Sequence, residues 1–180
     1  KVKSKIISIE KFTEACLYGK FGYYNNSNVI GNVEIGEHSS VWFNCLLRGD
    51  GNYIRVGKRT NIQDGSIVHI DSKKFPTHIG DDVTIGHGCI IHAATIRSLT
   101  LIGMGAIVLD GSEISSNVIV GAGSLVPPGV LLESGFLYMG SPCKKVRALN
   151  ENDYKMIIET SKDYVDHSKV YKKKYGLRSS

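Results

Sequence analysis

Three of the six histidines in this 180-residue chain stand where they could share a metal. They are His69 in Ile67-Val68-His69-Ile70, and His87 and His92 in Gly86-His87-Gly88-Cys89-Ile90-Ile91-His92. Neutral imidazoles suit a borderline divalent ion such as zinc. Three protein ligands leave a coordination position for water, as catalytic zinc sites do, and the ion lowers the pKa of that water to about 7. A lone histidine would carry no such implication; register is what gives these three their meaning. His38, His78 and His167 read as surface residues.

The elements that must position these side chains are written as a repeat. Aliphatic–glycine pairs recur as Ile30-Gly31, Ile35-Gly36, Val56-Gly57, Ile79-Gly80, Ile85-Gly86, Ile102-Gly103 and Val120-Gly121, with Ile96-Arg97 and Ile114-Ser115 as degenerate copies. Ile79 and Ile85, Ile96 and Ile102, and Ile114 and Val120 are each one hexapeptide apart, and the three pairs follow one another at a longer, near-constant spacing. Neither a helix nor an amphipathic strand has such a period. A solenoid of parallel β coils, with three short strands per coil, does. The first aliphatic residue of each hexapeptide then points into the prism. So does the fifth, which must be small. Cys45 and Cys89 fall at fifth positions, after Val41 and Ile85, and read as buried small hydrophobes rather than catalytic thiols. The second position, glycine or another small residue, is expected to permit the tight corners. The stretch 71–78 breaks the register and reads as a loop excursion, and Pro127-Pro128-Gly129 marks a turn near the end of the repeats.

Aligning the hexapeptides that begin at Val56, Ile62 and Val68 with those at Ile79, Ile85 and Ile91 puts His69 and His92 at the same position on successive coils. Stacked strands lie about 4.8 Å apart, so the two imidazoles can reach one ion. His87 aligns with Asp64 in the preceding hexapeptide and belongs to another face or corner. The register therefore predicts a site shared between subunits, with two ligands from one chain and the third from its neighbour.

After Ser141-Pro142 the pattern changes type. Asn150 can cap a helix, and Glu151 and Asp153 favour its positive end. Tyr154, Ile157, Ile158, Tyr164, Val165 and Tyr171 then recur at helical spacing, which predicts an amphipathic helix over about 151–174. The expected organisation is a β-helix domain with an N-terminal extension over 1–149, then the helix and a basic tail over 150–180. With 42% hydrophobic and 22% charged residues the chain is not disordered. No apolar run approaches about 18 residues, so no membrane span is expected. The net charge of +5 gathers at Lys1, Lys3 and Lys5 and at Lys169, Lys172, Lys173, Lys174 and Arg178. These read as solvated ends, with no nucleic-acid partner expected. Lys1 to Ile7 is basic without a long apolar stretch after it, so no secretory signal is read. Cys16, Cys45, Cys89 and Cys143 form no C-x-x-C pair, which argues against a disulfide framework and for a reducing, cytoplasmic compartment.

From about residue 17 to 172 the chain resembles the gamma-class carbonic anhydrases. The resemblance rests on Ser39-Ser40-Val41-Trp42-Phe43-Asn44, Leu47-Arg48-Gly49-Asp50, Ile54-Arg55-Val56-Gly57-Lys58-Arg59-Thr60-Asn61-Ile62-Gln63-Asp64, Val83-Thr84-Ile85-Gly86-His87, Ile102-Gly103-Met104-Gly105-Ala106 and Met139-Gly140-Ser141-Pro142. An Ile-Gly hexapeptide alone is common to many acyltransferases; Arg-Gly-Asp, Asn-Ile-Gln-Asp and the registered histidines together are specific. The resemblance implies a left-handed parallel β-helix with a C-terminal α-helix, assembled as a homotrimer. It implies Zn2+, with Fe2+ or Co2+ as alternatives, on His69, His87 and His92, and reversible hydration of carbon dioxide to bicarbonate. It further implies that Gln63 orients the bound hydroxide or bicarbonate, that Arg48 and Asp50 link subunits beside the site, that Asp64 supports it, and that Tyr164 reaches into the pocket. Arg48 and Asp50 also admit a purely structural reading, and Gln63 that of a solvent-facing rung. One departure stands out. The archetypal enzyme of the class has an acidic loop with a glutamate proton shuttle after its first ligand. Here Ile70-Asp71-Ser72-Lys73-Lys74-Phe75-Pro76 is short and carries two lysines, so slow turnover is expected. An acyl-CoA thioesterase or hexapeptide acyltransferase, and a non-enzymatic metal-binding trimer, remain open on the same scaffold.

Overall fold

Most hexapeptides fold as a strand of two or three residues and a corner, and three of them close one coil. The computed structural model describes residues 22–23 and 26–175. Lys1, Lys3, Lys5, Cys16, Arg178 and most of the expected N-terminal extension lie outside the described residues. The coils stack in parallel register as a β-helix of about six turns. Its first face carries Gly22–Tyr23, Ser40–Val41, Asn61–Ile62, Thr84–Ile85, Leu101–Ile102, Ile119–Val120 and Phe136–Gly140. The second carries Ile67–His69, Ile90–His92, Ile107–Val108 and Leu125–Val126, and the third Thr77–Ile79, Thr95–Ile96, Glu113–Ile114 and Leu131–Leu132. Two longer strands, Asn28–Ile35 and Leu46–Val56, bend round a corner and serve both of these faces.

The first-position aliphatics are buried along every face, Ile62, Ile85 and Ile102 on the first, Leu47, Val68 and Ile91 on the second, and Ile79, Ile96 and Ile114 on the third. The fifth positions are small and buried as well: Cys45, Ser66, Cys89, Ala106 and Ser124. Serine is admitted there because its hydroxyl bonds the next coil. Ser66 Oγ donates to Gly86 O at 2.8 Å and accepts from Cys89 N at 3.1 Å. Among the described residues no buried side-chain polar atom lacks a partner.

The corners turn at the fourth position, not the second. There φ is positive at Gly65, Gly88 and Gly105, and also at His38, Asn44, Arg59, Asp82, Leu99 and Asn117. The second-position glycines have a different task. An added Cβ would lie 2.5 Å from Ser98 N at Gly80, and 2.5 Å from Ala122 N at Gly103. Their missing side chain is what lets one coil sit on the next. The loop excursion is shorter than 71–78, because Thr77 and His78 pair with Ile54 and Arg55. At the far end the chain reverses, and Cys143–Ala148 returns antiparallel along Phe136–Gly140, a hairpin the repeat pattern did not suggest.

The helix runs Glu151–Tyr175. Asn150 Oδ1 accepts the N–H groups of Asn152 and Asp153 at 2.9 and 3.1 Å, and Asp153 Oδ2 accepts the N–H of Asn150 at 2.8 Å. This is a reciprocal cap that satisfies otherwise orphaned donors. The helix lies along the first face, over Ser40–Val41, Asn61–Ile62 and Thr84–Ile85. Its buried stripe is Asp153, Ile157, Ser161 and Ser168, with Tyr164, Val165 and Tyr171 half-buried. Tyr154 and Ile158, expected in that stripe, are exposed. The serines allow close approach, and Ser161 Oγ donates to Arg59 O at 2.8 Å. Trp42 meets Tyr164 and Tyr171 edge-on, each with centroids 5.2 Å apart.

The outward columns of the three faces differ in chemistry. The first, Ser40, Asn61, Thr84, Leu101 and Ile119, is buried except for a half-buried Leu101. The second is an aliphatic ladder in strict register, Leu46, Ile67, Ile90, Ile107 and Leu125, in which Ile67 and Ile90 are exposed. The third is polar through Glu34, Arg55, His78, Thr95 and Glu113 and ends on an exposed Leu131.

Candidate metal centre

The second face brings His69 into register with His92, and Arg48 into register with His69. His69 Nδ1 lies 3.2 Å from His92 Nε2. The other nitrogen of each ring meets a carboxylate: His69 Nε2 is 3.1 Å from Asp50 Oδ1, and His92 Nδ1 is 2.9 Å from Asp110 Oδ1. An ionised carboxylate only accepts, so each ring's proton is assigned to the nitrogen that faces it. The lone pairs of His69 Nδ1 and His92 Nε2 then point at one another, and a cation between them relieves the repulsion. Two nitrogens bound tetrahedrally at about 2.0–2.1 Å stand about 3.3–3.4 Å apart, close to the spacing found here. The donor set fits a divalent ion.

His87 sits at the corner after the first face, where its Nδ1 lies 2.8 Å from Asp64 Oδ2. All three imidazoles thus have the carboxylate partner typical of metal-bound histidine. Among the described residues no three His, Cys, Asp or Glu side chains converge as a metal site. One chain assembles His69 with His92 and keeps His87 elsewhere, the division read from the register.

Arg48 and Asp50 pair with each other within the chain. Burial raises the Asp50 carboxyl, but hydrogen bonds from His69 and Arg48 together outweigh it and hold the group below the usual carboxylate range. Gln63 is no solvent-facing rung. It is buried, its Nε2 donates to Asn61 Oδ1 at 3.0 Å, and Asn61 Nδ2 donates in turn to Thr84 Oγ1 at 2.9 Å. Tyr164 stands with the His87 half, lining a cavity of about 320 Å³ with Trp42, Phe43, Asp64, His167 and Tyr171. Burial, then the charge of Asp64, pushes its phenol up. The expected site residues thus fall into two groups within one chain. Arg48, Asp50, His69, His92 and Asp110 are linked by contacts on the second face and its corners; His87 and Tyr164 both stand by Asp64, and Gln63 is tied to Asn61 on the first face.

Asp110 escaped the sequence reading. Its signal is spacing: it follows His92 by 18 residues, one coil. Asp71 and His78, the acid and the imidazole that follow His69 in sequence, are both engaged elsewhere. Asp71 Oδ1 accepts from Lys74 N at 2.6 Å and Lys73 N at 3.0 Å, and these bonds, with a smaller contribution from the charge of His92, hold its carboxyl below the usual range. His78 lies on the third face, edge-on to Tyr53, and burial followed by the charges of Arg55 and Arg97 lowers its pKa.

This chain is 44% identical over 152 residues to a carbonic anhydrase of Geobacillus kaustophilus, an alignment covering 84% of this chain and 83% of that protein. It is 41% identical over 151 residues to the mitochondrial gamma carbonic anhydrase 2 of Arabidopsis thaliana, covering 81% of this chain and 54% of that protein, so it spans about half that relative's length. Among solved structures, a hexapeptide transferase family protein from Anaplasma phagocytophilum matches with a TM-score of 0.82 at 37% identity, covering 86% of this chain and 91% of that one. No protein-family model matches the sequence. The stacked hexapeptide coils and single trailing helix define a hexapeptide-repeat β-helix protein. Within that class, the chain belongs to the gamma carbonic anhydrase family.

Proposed function

We propose that this chain is one subunit of a homotrimeric, metal-dependent carbonic anhydrase that interconverts carbon dioxide and bicarbonate. The observation that carries this reading is the facing pair of imidazole nitrogens at 3.2 Å, each ring backed by a carboxylate. A divalent ion on His69 and His92 of one chain and His87 of a neighbour, zinc with iron or cobalt as alternatives, would supply Lewis acidity and a lowered water pKa. The chain's own groups do the rest. Asp50, Asp110 and Asp64 hold the three rings in their ligating tautomers. Gln63, its amide nitrogen committed to Asn61, offers Oε1 to the proton of a substrate hydroxyl. Arg48 sets a cation beside the place where an anionic product forms.

The trimer draws support from the aliphatic ladder beside the histidine pair. Ile67 and Ile90 flank that pair two residues away in each strand and are open in the single chain. A second copy seated on this ladder buries it and brings a His87 corner to the pair. With no glutamate in the loop after His69, the proton released on hydration leaves through water and buffer, so turnover is slow.

The test is metal content together with stopped-flow hydration of carbon dioxide, run in parallel with acyl-CoA hydrolysis. Metal-bound protein that hydrates carbon dioxide and leaves acyl-CoA intact is the expected result. Acyl-CoA hydrolysis by metal-free protein would replace this reading with a thioesterase. Filled sites with neither activity would replace it with a metal-binding assembly.

A further inference from the structure

We infer that Asp110 is a positioning residue for the metal centre, and that it matters more for metal binding than Asp50 does, because it reverses the natural tautomer of His92. The inference rests on the metal-binding reading above. The two rings of the pair present different nitrogens. His69 offers Nδ1 and keeps its proton on Nε2, toward Asp50. His92 offers Nε2 and must keep its proton on Nδ1, toward Asp110. A neutral histidine side chain in water favours the Nε2–H tautomer. His69 therefore ligates in the form it already prefers, and His92 in the form it does not. Something must hold the His92 proton on Nδ1, and the Asp110 carboxylate at 2.9 Å is the acceptor that does so.

The carboxylate is well placed for this task because the coil stack, rather than a loop, carries it. The backbone on either side is tied to both neighbouring coils: Gly111 N donates to Ala93 O at 2.7 Å, and Gly129 N donates to Asp110 O at 2.9 Å. The next residue is hemmed in as well, since a Cβ at Gly111 would lie 2.9 Å from Phe75 Cζ. Asp110 is also dispensable to the core. Its side chain is 38% exposed, and its side-chain contact among the described residues is with His92, so its loss should leave the metal-free fold in place.

Three variants, Asp110→Ala, Asp110→Asn and Asp50→Ala, are compared with wild type by two readouts. The first is the tautomer of His92 in metal-free protein, from 15N NMR of histidine-labelled trimers. Wild type and Asp110→Asn, whose amide oxygen still accepts, are expected to show Nδ1–H; Asp110→Ala is expected to shift toward Nε2–H. The second is zinc affinity by competition with a chromophoric chelator. Asp110→Ala is expected to weaken it by about 10–100-fold, with Asp110→Asn within about threefold of wild type and Asp50→Ala between the two. Melting of the metal-free forms checks that the fold is intact. An unchanged His92 tautomer in Asp110→Ala would overturn the inference. So would a loss in Asp50→Ala equal to or larger than that in Asp110→Ala. If wild type itself bound no zinc, or His92→Ala bound it as tightly, the metal-binding reading would fail, and the tautomer readout would still judge Asp110.

Discussion

Co-expression of two differently tagged variants, His87→Ala and His69→Ala, puts the divided site to a quantitative test. Each variant alone spoils every site of its own trimer, one by removing the single ligand and the other by breaking the pair. In a cyclic trimer each subunit gives its pair to one interface and its His87 to the next. Following the ring of a mixed trimer, an intact pair meets an intact His87 once, whether the composition is two-to-one or one-to-two. Mixed trimers isolated through both tags should therefore recover about one third of the wild-type metal and hydration activity. The structure supplies the premise: His69 and His92 are 3.2 Å apart on the second face, and His87 sits with Asp64 at a corner after the first. Were all three ligands gathered from one chain, every site in every mixed trimer would lack one, and recovery would be nil. Nil recovery of metal in verified mixed trimers would refute the shared site.

Four other outcomes are expected. Gly105→Ala, where φ is +69° and the added Cβ meets nothing within 4 Å, should cost about 1–2 kcal/mol; Gly103→Ala, whose Cβ would meet backbone at 2.5 Å, should exceed that by at least about 1 kcal/mol in denaturant titration. Ile157→Ala should destabilise the protein by about 2–5 kcal/mol, because Ile157 is buried against Ile119 and Leu149. Ile158→Ala should stay within about 0.5 kcal/mol, and equal losses would mean that a neighbour covers Ile158. Arg147, then the backbone N–H of Asn150, holds the Asp153 carboxyl at about 2 against an ordinary 3.8. A depressed folded-state pKa stabilises only where the group is ionised. The melting difference between wild type and Asp153→Asn should thus be full above roughly pH 5 and shrink as pH falls from about 4 to about 2; a difference that stays constant would rule this out. Hydration at fixed pH and ionic strength should rise with imidazole concentration, which supplies the external base that the loop after His69 lacks. A high rate independent of buffer would reveal an internal shuttle.

The prism was legible because burial imposes its period directly on residue type: Ile79, Ile85 and Ile91 point inward, and nothing polar can replace them at no cost. Register followed by counting, and with it the meeting of His69 and His92. Positions whose constraint is not hydrophobic were harder to read. The left-handed corner accepts Gly88, Asn44 and Leu99 alike, so no single residue type marks it. The second-position glycine is marked but has a different cause, steric exclusion by the next coil. On the helix, apolar spacing predicts the inner stripe, but Ser161, whose Oγ bonds Arg59 O, and Ser168 are buried while Ile158 is left outside. The return strand Cys143–Ala148 is exposed along most of its length and carries three cations, so it shows no hydrophobic alternation to betray it. Asp110 was missed because a carboxylate at a solvated corner is unremarkable until His92 is seen to face it.

That return strand decides where the molecule stops. Each coil of a parallel solenoid offers the next a ready template, and nothing in the repeat itself sets a last copy. On the first face the template is closed by reversing direction: Cys143–Ala148 pairs with Phe136–Gly140 with opposite polarity, so a further parallel rung meets a strand running the wrong way. Lys144, Lys145 and Arg147 lie along this strand, Lys145 paired with Glu133 and Arg147 with Asp153, and such charged side chains on an edge strand oppose further pairing. The other two faces end on Leu125–Val126 and Leu131–Leu132, each only two residues long. Growth along the axis is terminated at this end, while the second face keeps its aliphatic ladder for lateral contact. The proposed ring of subunits can therefore form through the second face without growth from this end.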